Sequence, residues 1–244
     1  MPYNMQFLPT GLDRLANSLL YQATNLLDKM KAARLIDHAL LAPDLTDQQL
    51  HNGLTLARQA GCYTACVHVV DVAAACRVLA GSKTGVCAVV GFPLGRQTTC
   101  LKALEAVEAF KNGATELDMV LHLGYLKSKR FQALQADIQT VVEATPAPLK
   151  VILETGYLTP AEITAACQIA LAAGAKYVKT STGFGPGGAT VADVQLMRKT
   201  VGNRCGVKAA GGIATLKNLL QMVQAGADRI GTSRTKTILE ELQC

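Results

Sequence analysis

Two lysines and an aspartate stand where chemistry could be done. Lys179 follows Tyr177-Val178 and precedes Thr180-Ser181-Thr182, Lys208 lies between Val207 and Ala209, and Asp118 sits in Glu116-Leu117-Asp118-Met119. Each belongs to a short, largely apolar run that reads as the end of a strand. A single lysine at a strand end is ordinarily an ion-paired or solvated tip. Two of them, both flanked by apolar residues (Val178 and Val207), are harder to explain as structure. Burial and a second cation both disfavour a charged amine, which lowers a lysine pKa from about 10.4 toward 7. A neutral amine is what attack on an aldehyde to form a Schiff base requires. A carboxylate beside it can move the protons of carbinolamine formation and enamine protonation.

Glycine clusters supply a second signal. Gly183-Phe184-Gly185-Pro186-Gly187-Gly188, Gly211-Gly212 and Gly231-Thr232-Ser233 each follow one of three successive strands. Backbone N–H groups in such loops, beside a helix N-terminus, suit an anion such as phosphate. The histidines add less. His51 lies within a helix-period segment and is expected at the surface, whereas His38, His68 and His122 close strands one, two and four. No two share a short ligand spacing and no acidic partner completes a set, so they are expected to line a pocket, and no metal is expected. Gly91-Phe92-Pro93-Leu94-Gly95 ends the third strand and is expected to close one wall of the site.

Elements must bring these residues together. Extended apolar runs read as strands over Arg34–His38, Thr64–His68, Val86–Gly91, Glu116–Leu121, Lys150–Glu154, Tyr177–Thr180, Gly206–Lys208 and Arg229–Gly231. Helix-period segments fill the gaps, among them Thr98–Lys111, Pro160–Ala173 and Thr215–Ala225, each with Thr or Pro at its start and Gly past its end. Gly61, Gly113, Gly174 and Gly226 recur 52, 61 and 52 residues apart, before strands two, four, six and eight. That rhythm of two strand–helix units per step favours a closed (β/α)8 TIM barrel over a doubly wound sheet, which reverses its strand order. Barrel sites lie at the C-terminal strand ends, where the lysines, the aspartate and the glycine clusters fall. The first thirty residues form an amphipathic pattern (Leu12, Leu15, Leu19, Leu26, Leu27), expected as a helix over residues 1–32 that caps the barrel floor. Asp13 and Asp28 disfavour a presequence. One domain over residues 1–244 is expected.

Composition narrows the function. Half of the 244 residues are hydrophobic and 17% are charged, which excludes a disordered chain. The 24 Lys and Arg against 18 Asp and Glu give +6, but the excess is scattered, Trp is absent and aromatics are 5%. No nucleic acid partner is expected from that balance, whereas a small anionic ligand suits the sign. No run of 18 apolar residues exists, so no membrane partner is expected. The eight cysteines are dispersed, with Cys62 and Cys66 on one expected strand and no zinc pattern. They read as buried thiols in a reducing cytoplasm.

At these residues the sequence resembles the deoxyribose-phosphate aldolases, class I aldolases built on a (β/α)8 barrel. The likeness runs from about Leu35 to the eighth strand. It is carried by Lys179-Thr180-Ser181-Thr182-Gly183-Phe184-Gly185, Glu116-Leu117-Asp118-Met119-Val120, Gly91-Phe92-Pro93-Leu94-Gly95, Val207-Lys208-Ala209-Ala210-Gly211-Gly212 and Ile36-Asp37-His38. The resemblance implies reversible cleavage of 2-deoxy-D-ribose 5-phosphate to acetaldehyde and D-glyceraldehyde 3-phosphate, without a cofactor. It implies that Lys179 forms the Schiff base, that Lys208 depresses its pKa and that Asp118 relays protons. The expected substrate-binding set is Asp37, Cys66, Thr182, Gly183, Gly211, Gly212, Gly231, Ser233 and Arg234. Partners are then a small aldehyde and a sugar phosphate, and the family suggests a homodimer.

The chain departs from the family pattern on the acceptor side, at Ala39, Ala42, His68-Val69, Arg96-Gln97, His122, Ala214 and Arg234. Arg234 is expected to replace the family's cation at Ala214 as an anion ligand, or else to pair with Glu240 or Glu241. Two alternatives stay open: an aldolase of the same mechanism with another acceptor or a nucleoside-derived sugar, and a ligand-binding barrel without catalysis.

Overall fold

The computed structural model describes residues 29–243, so the expected capping helix with Leu12, Leu15, Leu19, Leu26 and Leu27 lies outside the described residues. Eight strands form one closed parallel barrel in chain order: β1 (Ile36–Ala39), β2 (Thr64–Val67), β3 (Gly85–Val90), β4 (Glu116–Val120), β5 (Leu149–Ile152), β6 (Tyr177–Lys179), β7 (Gly206–Ala210) and β8 (Arg229–Thr232). β1 closes the ring against β8, with Asp37 opposite Gly231. The helices are α1 (Lys29–Ala33), α2 (Asp47–Ala60), α3 (Val72–Leu79), α4 (Thr99–Lys111), α5 (Leu123–Lys127), α6 (Phe131–Ala144), α7 (Pro160–Ala172), α8 (Val191–Val201), α9 (Leu216–Gln224) and α10 (Thr235–Glu240). Among the described residues no helix is long and apolar enough to cross a membrane.

Local chemistry explains where these elements start and stop. Thr98, Thr159, Thr190 and Thr215 each accept the N3 amide of the helix that follows. Thr159 completes a capping box with Glu162, and Pro160 takes the first helical position. Gly61, Gly113, Gly174 and Gly226 all have positive φ and end their helices before even-numbered strands, as the spacing predicts.

All eight strands fall where expected, with ends displaced by one or two residues. β5 stops at Ile152, because Glu154 turns into the left-handed region at φ 56°. Cys62 lies before β2, so it does not share a strand with Cys66.

Alternation along each strand divides the molecule into an outer and an inner chemistry. Leu117, Met119, Val178, Val207, Ala209 and Ile230 belong to the large apolar layer between barrel and helices. The inward positions carry charge instead. A small second apolar cluster of Leu41, Cys66, Cys87 and Val89, with Ala39 and Phe92, lies on the β1–β3 side.

Candidate active site

A cavity of about 600 Å³ opens at the C-terminal ends of the strands. Its lining includes Lys179 and Lys208 and every expected substrate-binding residue: Asp37, Cys66, Thr182, Gly183, Gly211, Gly212, Gly231, Ser233 and Arg234. Of the histidines, His38 lines it. His68 instead approaches the Leu41 carbonyl at 3.2 Å and meets the Phe92 ring edge-on. His122 accepts the Tyr125 amide through Nδ1 at 3.2 Å and stacks on that ring. His51 is exposed in α2. Phe92 touches the cavity-lining Phe184 edge-on, so the Gly91–Gly95 loop backs one wall.

Asp118 is the hub beneath the cavity floor. It is wholly buried and does not itself line the cavity. Its Oδ2 accepts from Lys179 Nζ and Lys208 Nζ, both at 2.8 Å. Its Oδ1 accepts from Lys150 Nζ at 2.9 Å and from the Cys87 thiol at 3.1 Å. Lys208 also pairs with Asp37 at 2.6 Å. Register makes these contacts possible: Lys179 is paired with Lys208 across β6–β7, and Asp118 with Lys150 across β4–β5.

The charges hold one another in place. Burial pushes the Asp118 carboxyl up, but Lys150, Lys179 and Lys208 outweigh it and keep the group well below the usual carboxylate range. Burial likewise opposes the charge on Lys208, yet Asp118 and Asp37 override it and raise that amine above its ordinary value. Lys150 is raised too, against burial, chiefly by Asp118. These facts correct the expected environment of the lysines. Val178 and Val207 point outward into the helix layer, so the neighbours of Lys179 and Lys208 inside the barrel are carboxylates rather than apolar groups.

Sequence reasoning missed five polar residues of this interior. Cys87 sits inside a run that reads simply as strand, and Glu116, Lys150 and Arg229 each open one. The available signal was period 2: Glu116 lies two residues before Asp118 and therefore shares its inward face. The fifth is Glu154. Its buried carboxylate accepts the Thr182 amide at 3.2 and 3.3 Å and the Thr182 hydroxyl, while Thr182 Oγ1 accepts the Phe184 amide at 3.0 Å. A Cβ on Gly185 would meet Glu154 Cδ at 2.8 Å, which explains glycine there. The β6 loop also packs on the β7 loop: Ala189 N donates to Gly211 O at 3.0 Å, and a Cβ on Gly188 would lie 2.3 Å from that oxygen.

Arg234 is exposed at the cavity edge. The acids expected as its partners are engaged elsewhere, Glu240 near Lys236 at 3.9 Å and Glu241 on the Leu216 amide at 2.7 Å. Cys66, Cys87 and Asp118 present ligand atoms within 4.8 Å of one another. A metal ion there would have to displace the ammoniums already bound to Asp118, so the donor set suits amine chemistry better than a cation.

Comparison with known proteins follows the same lines. Residues 31–233 match the DeoC/LacD family aldolase profile. A deoxyribose-phosphate aldolase of Lysinibacillus sphaericus is 48% identical over 212 residues, covering 86% of this chain and 95% of that one. One from Coprothermobacter proteolyticus is 49% identical over 215 residues, covering 88% and 98%. Among solved structures, "QR15, an Aldolase" superposes with a TM-score of 0.84 at 40% identity, covering 88% of this chain and 96% of its own. A deoxyribose phosphate aldolase from Aeropyrum pernix, described as a tetramer, gives 0.83 at 32%, covering 93% and 98%.

Proposed function

Since this chain belongs to the DeoC/LacD family of aldolases, we propose that it cleaves 2-deoxy-D-ribose 5-phosphate reversibly to acetaldehyde and D-glyceraldehyde 3-phosphate. The observation that carries the proposal is Lys179 at the cavity floor, with its Nζ on the same Asp118 oxygen as Lys208. In the cleavage direction the free amine of Lys179 adds to the C1 aldehyde of the open-chain sugar. Loss of water gives the imine. A base then takes the proton of the C3 hydroxyl, the C2–C3 bond breaks, and its electron pair becomes the enamine while glyceraldehyde 3-phosphate leaves. Protonation at C2 and hydrolysis release acetaldehyde and restore the amine. The protonated imine is itself the electron sink, so atoms and electrons balance without a cofactor.

Asp118 lies behind the amines and is held ionised, so it accepts protons that reach it through Lys179 or Lys208 rather than directly from substrate. Backbone amides of Gly211, Gly212 and the loop after β8, with Arg234 at the edge, form the proposed phosphate site. Asp37, Cys66, Thr182 and Gly183 frame the sugar. A second acceptor class is favoured by one observation: Ala39, Leu41, Ala42, Leu45 and Ile213 give the cavity an apolar side. An aldolase of the same mechanism using a less polar acceptor fits that wall. The same reading includes a cytoplasmic location and assembly as a homodimer, which sedimentation would test.

Incubation with acetaldehyde and borohydride should add one reduced imine to the protein, located at Lys179 by peptide mapping. Lys179→Ala should lose both the adduct and aldol cleavage while remaining folded. Full trapping in that variant would place the imine on another amine. Rates on deoxyribose with and without its 5-phosphate, and on apolar aldehydes in the reverse direction, separate the two acceptor classes.

A further inference from the structure

The charged residues of the barrel interior close into a ring. From Asp118 Oδ1 it runs to Lys150 at 2.9 Å, from Lys150 to Glu116 Oε2 at 2.7 Å, and from Glu116 Oε1 to Arg229 Nη2 at 2.9 Å. Arg229 Nη1 then reaches Asp37 Oδ1 at 2.6 Å, Asp37 Oδ2 reaches Lys208 at 2.6 Å, and Lys208 returns to Asp118 Oδ2 at 2.8 Å. Three anions alternate with three cations, and every carboxylate bridges two of the cations. The ring is neutral as a whole. Lys179 hangs from it as a seventh member through Asp118, at 2.8 Å.

Four of the six do not line the cavity, and two of those, Glu116 and Arg229, make no bond to Asp118 either. Arg229 is also pinned against the Tyr63 ring at 3.2 Å from the centroid. Substrate therefore cannot explain these two. A neutral ring needs both, because removing either leaves an odd charge in a closed, desolvated circuit. We propose that Glu116 and Arg229 are positioning residues that fix the charge of the ring and thereby the fraction of Lys179 present as free amine. This rests on Lys179 being the imine-forming residue.

The sign follows from the charges that face Lys179 from the other seven strands: Asp37, Cys66, Cys87, Glu116 and Asp118, Lys150, Lys208 and Arg229, with Glu154 on the loop after β5. Of the two thiols, Cys87 is pushed well up by burial, whereas Cys66 is lowered by its hydrogen bond with Cys87. Glu116→Gln removes one negative charge and leaves the site more cationic. The protonated amine is then disfavoured, and the acid limb of kcat/KM should move to lower pH. Arg229→Met removes one positive charge and should move the limb to higher pH. Glu116 lies three ion pairs from Lys179 along the ring and Arg229 four, and a buried charge at that remove moves a titration by roughly one pH unit. The double variant is neutral again and should return to the wild-type profile.

The experiment is the pH dependence of kcat/KM for the four proteins, with the pH dependence of acetaldehyde–borohydride trapping as a second readout of the same amine. Opposed shifts in the single variants and restoration in the double are expected. A purely structural role would lower kcat without moving the limb. Unmoved limbs, two shifts of the same sign, or a double variant that does not return would overturn the proposal. Should Arg229→Met fail to fold, Glu116→Gln and Arg229→Lys decide: the first must shift downward and the second, which keeps its charge, must not shift. Failure of wild-type protein to trap acetaldehyde at Lys179 would instead overturn the assignment of the imine, so the two failures are distinguishable.

Discussion

Glu154→Gln should loosen the loop that follows β6 without touching the amine at the cavity floor. The Glu154 carboxylate accepts the Thr182 amide and the Thr182 hydroxyl, and Thr182 then holds the Phe184 amide. Gln keeps the shape but exchanges one acceptor oxygen for an NH2 group that faces a donor. One charge-assisted hydrogen bond is lost, worth about 1.5–3 kcal/mol. If the loop is ordered again when sugar phosphate binds, that loss falls on KM, as a rise of roughly 10- to 150-fold. Glu154→Gly makes the reasoning sharper. It relieves the left-handed backbone at φ 56°, worth about 1–2 kcal/mol, yet removes both side-chain bonds, so KM should rise further while the backbone becomes less strained. Steady-state kinetics on 2-deoxyribose 5-phosphate would give kcat and KM, and acetaldehyde–borohydride trapping would report the amine alone. Trapping lost in proportion to sugar cleavage would refute the reasoning, because Glu154 would then act on Lys179 and not on the loop. An unchanged KM would refute it equally.

Three further outcomes are expected. Asp118→Asn should lower turnover by about 10²–10⁴-fold at every pH, and a variant with normal kcat would end the relay role. Arg234→Ser should reduce the preference for the phosphorylated sugar by roughly 1.5–3 kcal/mol in kcat/KM, whereas an unchanged preference would leave the anion to the backbone amides of the glycine loops. Burial lowers the His38 pKa to about 4, from 6.5, so the unfolded chain takes up this proton before the folded one does. His38 therefore contributes stability that is complete above about pH 6.5 and drains away as pH falls toward 4, on the order of 3 kcal/mol in total. Urea unfolding at several pH values should show this loss, and His38→Gln should flatten the curve over that window.

The barrel and its rim were legible in the sequence because their determinants are local. Threonine caps, glycines that end helices at φ > 0 and the alternation of apolar runs are each specified by a few adjacent residues, and their rhythm implies a closed ring of eight strands. Lys179, Lys208, Asp118 and the glycine clusters could be singled out since each reads as near a strand's C-terminal end, where this fold puts its site; in the barrel Lys179 ends β6, whereas Lys208 and Asp118 stand in the middle of β7 and β4. What surrounds them was decided by the tertiary structure. Val178 and Val207 are the chain neighbours of the two lysines, but a strand turns successive side chains to opposite faces, so those valines meet the helices. The true neighbours come from other strands: Asp118 lies 61 residues from Lys179 and 90 from Lys208. Glu116 shares only the inward parity of Asp118, and Lys150 and Arg229 carry no local mark of importance, because pairing among charges on β1, β4, β5, β7 and β8 exists only once the barrel closes. Arg234 shows the same limit. Its chain neighbours include Glu240 and Glu241, yet packing gives those carboxylates to Lys236 and the α9 amide and leaves the guanidinium at the cavity edge. Sequence fixes which residue stands at each position of a strand, and closure of the sheet selects which distant charges face one another.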